Sequence, residues 1–211
     1  MYKFPIRIPV GWRVILTQLF KSTELSDWYK AQGLNYPEHL AIDVVIGTPT
    51  YQKWATYGAT IVCPFPLAEM IASDPGTNPG DMKSGRFQLR YIAPDGTQII
   101  MGGIHCSEVV QDKKWFREGD TVAFIGNGGY VKPVPTVEDA YAGGHLHLTY
   151  IHKGPGDLNG VPRDPLDIFD HNNPFRGSDS GFEKDIRPIA WAMKWSKEQV
   201  DKVITMFRKA L

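Results

Sequence analysis

A mainly β fold of antiparallel strands, running to about Asp170, is what this sequence predicts, and three observations predict it. Its β-branched and aromatic residues fall in short runs, its 21 Gly and 16 Pro punctuate the chain with turns, and helical patterns are confined to two stretches. The clearest single element is Arg86-Phe87-Gln88-Leu89-Arg90-Tyr91-Ile92. There Phe87, Leu89 and Tyr91 alternate with polar residues, as a strand with one buried face requires.

Taken in order, the region from Ile6 to Leu16 is broken by Pro9 and Gly11 and reads as short extended pieces, with Val14-Ile15-Leu16-Thr17 the better strand candidate. Residues 22–32 predict a short helix capped by Ser22 or Ser26 and closed by Gly33. Pro37 disfavours helix just before it, so His39 and Asp43 are expected on a loop leading into the β-branched strand Ile42 to Ile46, which Gly47-Thr48-Pro49 ends. Tyr57 to Val62 predicts another strand, and 75–85 a surface loop. Pro94-Asp95-Gly96 turns the 86–92 strand back as Thr97 to Met101, with His105 just beyond. Glu118-Gly119-Asp120 leads into Thr121 to Ile125. A long Gly- and Pro-containing loop then runs into Gly143-Gly144-His145-Leu146-His147-Leu148-Thr149-Tyr150-Ile151. Residues 1–170 are expected as one domain. Residues 171–211 are expected as a polar linker and a C-terminal amphipathic helix docked on it, because Ser196 and Gln199 form a capping box and Val200, Val203, Ile204, Phe207 and Leu211 share a face.

Bulk composition narrows the partners. Lys plus Arg and Asp plus Glu both number 23, so no net field favours nucleic acid or an anionic membrane. No apolar run approaches the roughly 18 residues of a membrane helix. No nucleic-acid or membrane partner is expected, and the protein is expected to be a monomer. Cys63 and Cys106 lack paired metal-site spacing and cannot build a disulfide framework, which leaves two free, half-buried thiols. The first nine residues carry no continuous apolar segment and no small-residue cleavage site, so no secretory signal is expected.

In a strand, His145 and His147 project to one face while Leu146, Leu148 and Tyr150 project to the other. Such a pair can place one nitrogen on a metal and leave the neighbouring ring beside whatever the metal activates. His39 and Asp43, four apart, are the evident partners, since two His and one carboxylate are a usual ligand set for catalytic zinc with a position left for water.

Together these residues resemble the lysostaphin-type zinc metallopeptidases, which cut peptide bonds in bacterial peptidoglycan. The family's His-x-x-x-Asp motif and Gly-Thr-Pro turn read here as His39 to Asp43 and Gly47-Thr48-Pro49. Its isolated His reads as Ile104-His105, its Gly-Asp-x-Val turn as Gly119-Asp120-Thr121-Val122, and its terminal His-x-His as His145-Leu146-His147. Asp164-Pro165-Leu166 looks like the family's domain end, and Leu16-Thr17-Gln18-Leu19-Phe20 like the segment before the motif in phage-associated members. The likeness spans roughly Leu16 to Phe169. It implies the duplicated hybrid motif fold, one Zn²⁺ per chain on His39, Asp43 and His147, His105 and His145 as the catalytic pair that is not on the metal, and peptidoglycan stem peptide or cross-bridge as substrate. With no secretory signal expected, it implies a protein made in the cytoplasm that reaches the cell wall as a phage lysin or virion component. One departure is Ala41, where the family usually has Gly; a methyl group is expected to be tolerated if the backbone there is ordinary.

Two other readings stand beside it. A catalytically silent relative serving as a structural or activator module would show neither zinc nor wall-degrading activity. A zinc D-alanyl-D-alanine carboxypeptidase would release terminal D-Ala rather than cut an internal amide, and the three-residue gap between His39 and Asp43 is short for it. In the 127–142 loop, Tyr130 and Tyr141 are candidates for substrate contact or for plain loop packing. Glu38, His152 and His171 fit no position in the pattern.

Overall fold

Alternation of apolar and polar residues is realised as strand after strand. The structure, a computed structural model, describes residues 1–8, 10–47, 56–76 and 79–176. These form β1 (Tyr2–Ile8), β2 (Arg13–Gln18), α1 (Ser26–Ala31), β3 (Ile42–Gly47), β4 (Thr60–Val62), β5 (Leu67–Asp74) and β6 (Gly85–Ile92). There follow β7 (Gln98–Val109), β8 (Trp115–Arg117), β9 (Thr121–Ile125), β10 (Leu146–Lys153), β11 (Val161–Arg163), a 3-10 turn (Pro165–Asp167) and β12 (Phe169–Arg176). The chain is mainly β, as the sequence predicts.

Among the described residues all strands join one sheet, whose main path runs β12-β1-β4-β9-β7-β10-β3-β2, with β5, β6, β8 and β11 branching from it. Every pairing is antiparallel except β1 with β12. The two ends of the path approach each other, because Arg176 at the end of β12 donates 2.8 Å to the Trp12 carbonyl just before β2. Phe4, Ile6, Ile46, Phe87, Leu146 and Leu148 belong to one core that both halves of the path enclose. Tyr2, Phe65, Tyr91 and Phe169 pack as an aromatic cluster at one end, with Phe65 stacked on Tyr91 at 5.1 Å between ring centres. The two thiols are wholly rather than half buried, and burial pushes Cys63 up to about 12.

Several elements differ from expectation for local reasons. The helix is a six-residue turn starting at Ser26, because Ser22 instead accepts the Glu24 N–H and Leu25, not a serine, precedes the first turn. Its end is as predicted: Gly33 has φ +78°, with Gly33 N–H on Lys30 and Leu34 N–H on Tyr29 in a Schellman arrangement. The strand expected over Tyr57 to Val62 is confined to Thr60–Val62, since Gly58 at φ +82° keeps the preceding residues in a turn. β5 carries exposed Leu67 and Ile71, so its sequence shows no clean alternation to read. Residues 171–176, expected to begin a polar linker, belong to β12, in which Pro174, Phe175 and Arg176 pair with β1. The expected C-terminal helix lies outside the described residues.

β7 is the most informative departure. A strand expected to stop near Met101 runs on to Val109, 12 residues in all, and carries His105 within it. Gly102 and Gly103 look like a break in sequence, but they permit close approach. A Cβ on Gly103 would lie 2.4 Å from the Phe87 ring of β6, and one on Gly102 would lie 2.4 Å from Thr149 Oγ1 of β10. Gly103→Ala is therefore expected to cost about 1–3 kcal/mol of stability through overpacking. Urea unfolding measures it, and an unchanged midpoint would contradict the packing argument.

Candidate metal centre

The register of the central strands lines up the site. His147 of β10 pairs with Asp43 of β3, Asp43 pairs on its other side with Gln18 of β2, and His147 pairs with Ile104 of β7. Directly paired residues share a face, so this row crosses four strands. Ile42, Val44, Leu146 and Leu148 are fully buried on the opposite face, which fixes the register, because a one-residue slip would drive Asp43 into the core. His39 reaches the row from the loop before β3, and that loop is tied to the chain after β2 by His39 N–H on Ser22 and Lys21 N–H on the His39 carbonyl.

Three side chains converge. His39 Nε2 lies 3.1 Å from His147 Nδ1 and 3.3 Å from Asp43 Oδ1, and His147 Nδ1 lies 3.0 Å from Asp43 Oδ1. Their ligand atoms all fall within 4.8 Å of one another, and the group could hold a metal ion. The chemistry of the set fits one. Donors about 2.0–2.2 Å from a common tetrahedral centre would be separated by slightly more than 3 Å. His39 Nδ1 faces the Leu19 carbonyl at 3.4 Å, which leaves Nε2 free to point at its partners as an unprotonated donor.

The other two histidines stand beside this group. The rings of His105 and His145 lie 4.6 Å apart, and His105 is 5.9 Å from His147. Each is fixed through Nδ1, His105 on the Gly128 carbonyl and His145 on the Gly143 carbonyl, both at 2.7 Å. Their Nε2 atoms are left for chemistry, with that of His145 at 3.5 Å from Asp43 Oδ2. His105 has φ +65°, a left-handed conformation uncommon outside glycine, and its N–H donates to Ser84 Oγ at 2.7 Å. All five predicted site residues thus lie in one neighbourhood. Ala41 is fully buried and its φ is negative, so the methyl group meets no backbone strain.

Electrostatics follow from burial and mutual contact. Burial opposes ionisation of Asp43, but His145, His147 and His39 around it hold its carboxyl well below the usual range. Burial, reinforced by His145 and His147, lowers His105 to about 3, and burial also lowers His147 despite its bond to Asp43. In each case the unfolded chain binds more protons than the folded one once pH falls below the group's ordinary value. The contribution of His105 is complete above about 6.5 and is lost towards 3, that of His147 is likewise lost as pH falls from about 6.5, and that of Asp43 is lost below the ordinary carboxylate range. Chelator-stripped protein is accordingly expected to show a steadily falling Tm between pH 7 and pH 4 by scanning calorimetry. A flat or rising Tm would contradict this.

The site opens into a cleft of about 610 Å³ whose walls include Tyr29, Tyr36, Met82 and Tyr130. Tyr29, on α1, is raised to about 12 by burial and then by the charge of Asp43. The two tyrosines of the 127–142 loop separate: Tyr130 lines the cleft, whereas Tyr141 is buried against Tyr57 at 4.7 Å between ring centres. Cys106 packs in the core, away from the site. Two supporting residues carry no sequence signal beyond ordinary turn chemistry. Ser84 receives the His105 N–H, and buried Asn127 donates to the Ala140 and Ala142 carbonyls while accepting from Gly80 N–H, which ties down the loop that supplies Gly128 and Gly143. His152 instead bonds the Tyr150 hydroxyl.

No family model matches the chain, and no curated protein matches it. Solved structures similar to it include one provisionally assigned as a glycyl-glycine endopeptidase lytM from Ruminococcus gnavus, with 14% identity and a TM-score of 0.47. That alignment covers 83% of this chain and 62% of the other, so the chain spans less than two thirds of that protein's length. At this level the likeness fixes neither fold nor chemistry, which rest on the residues described above.

Proposed function

We propose that the chain is a zinc-dependent endopeptidase that cuts peptide bonds in bacterial peptidoglycan. The observation that carries this reading is the meeting of His39, Asp43 and His147 beside a cleft that His39, His105 and His147 line, with the rings of His105 and His145 alongside. His39, Asp43 and His147 would hold the zinc. When bound, zinc supplies a Lewis acid that acidifies water and polarises a carbonyl. His105 and His145, each anchored through Nδ1, present imidazole nitrogens able to take a proton from attacking water and return one to the leaving amine. A protonated imidazole of the pair also offers a hydrogen bond to the developing oxyanion.

The cleft favours an internal amide over a terminal one. Among the described residues lining it there is neither Lys nor Arg, and Glu38 adds a negative charge, so that lining offers no Lys or Arg to pair with the free carboxylate that a carboxypeptidase must bind. Retention of all five side chains, rather than a depleted set, favours an enzyme over a silent module. Incubation with defined muropeptides, followed by mass analysis of the new termini, tests the reading: internal cleavage that chelation abolishes and Zn²⁺ restores supports it, and release of terminal D-Ala or no cleavage overturns it.

The roles separate by mutation. His147→Ala is expected to lose both bound zinc and hydrolysis, whereas His145→Ala is expected to keep most of the metal and lose at least 100-fold in rate, at the lower end of what a general acid–base group supplies. Metal analysis after dialysis, paired with the cleavage assay, checks this. Equal metal loss from the two variants would contradict the assignment.

A further inference from the structure

Gln18 ends the row that crosses the site, and its position there is built by a β-bulge. Leu16 pairs with Val44, so one-for-one pairing would set Gln18 opposite Ile42, whose side chain is in the core. Instead Thr17 is the extra residue, with its hydroxyl on the Asp43 carbonyl at 3.1 Å, and Gln18 pairs with Asp43. One inserted residue thus turns a side chain from the core face to the face of the metal centre. Gln18 is 5% exposed and lines the cleft with His39, His147 and Thr149. Among the described residues its Oε1 has no hydrogen-bond partner.

Burying an amide oxygen without a donor costs folding free energy that an apolar side chain of the same shape would not. A side chain turned by a bulge to the cleft lining, with a buried acceptor that the protein leaves unmatched, is suited to a donor that arrives with the ligand. A peptide brings such donors at every residue in its backbone N–H groups. We propose that Gln18 Oε1 accepts a backbone N–H of the bound peptide and so fixes the peptide's register along the row that carries Asp43 and His147. The proposal rests on the peptidase reading and identifies a substrate-binding residue within it.

Gln18→Met keeps the length of the side chain and removes the acceptor. With a muropeptide that the wild type cuts, the variant is expected to raise KM about 5- to 10-fold with kcat within 2-fold, keep its zinc content, and melt at the same or a higher temperature. Methylating the peptide nitrogen that donates to Gln18 is expected to weaken wild-type binding by a similar factor and to have no further effect on the variant. An unchanged KM overturns the assignment. So does loss of zinc, which would place Gln18 among the metal's neighbours, or a lowered Tm with kcat and KM both impaired, which would make its role structural. If the wild type cuts no muropeptide, the peptidase reading fails and this proposal with it; if the wild type cuts and only the Gln18→Met effect is missing, the reading stands and Gln18 alone is excluded.

Discussion

The pairing of His147 with Asp43 across β10 and β3 is the constraint on which the rest of the site depends. It places an imidazole and a carboxylate side by side on stiff backbone, and it is enforced from behind by Ile42, Val44, Leu146 and Leu148, all fully buried. A shift of one residue on either strand would exchange polar for apolar faces at once. The hydrophobic core therefore sets the geometry of the polar cluster, and burial on one face becomes alignment on the other. His39 then needs only a loop, held by backbone bonds to Ser22 and Lys21, to close the group.

Around that pair the structure confines each histidine by its second nitrogen. Carbonyls of Leu19, Gly128 and Gly143 face Nδ1 of His39, His105 and His145, so three rings turn Nε2 inward without further choice. His105 requires more, since its left-handed backbone is sustained by Ser84 and by close-packed glycines that let β7 run unbroken between its neighbours. Preorganisation of this kind costs folding free energy locally, and the large shared core compensates for it.

What could be read in advance divides along physical lines. Strand alternation in Arg86 to Ile92 and in the segment from His145 to Tyr150 reports burial directly, so those strands and the common face of His145 and His147 were legible. The grouping of His39, Asp43, His145 and His147 was legible from strand alternation and ligand chemistry, and His105 joined it only through the family pattern that the sequence resembles. Devices that break alternation were not. The bulge at Thr17 that turns Gln18, the glycines that prolong β7, and the side-chain clamps of Ser84 and Asn127 act through long-range partners that no local pattern announces. The helix over 22–32 was expected too long because its serine was diverted into a turn, and Tyr141 was available for packing against Tyr57, which sits far from it in sequence.

The central claim is that one cation is shared by His39, Asp43 and His147, with room beside it for a reactant. X-ray absorption at the zinc edge of metal-loaded protein tests it most directly. The account predicts a single site with two imidazole nitrogens and oxygen neighbours near 2.0 Å, one of the oxygens replaced when a small competing anion is added. A first shell containing sulfur, or four protein donors that no added ligand displaces, would contradict it.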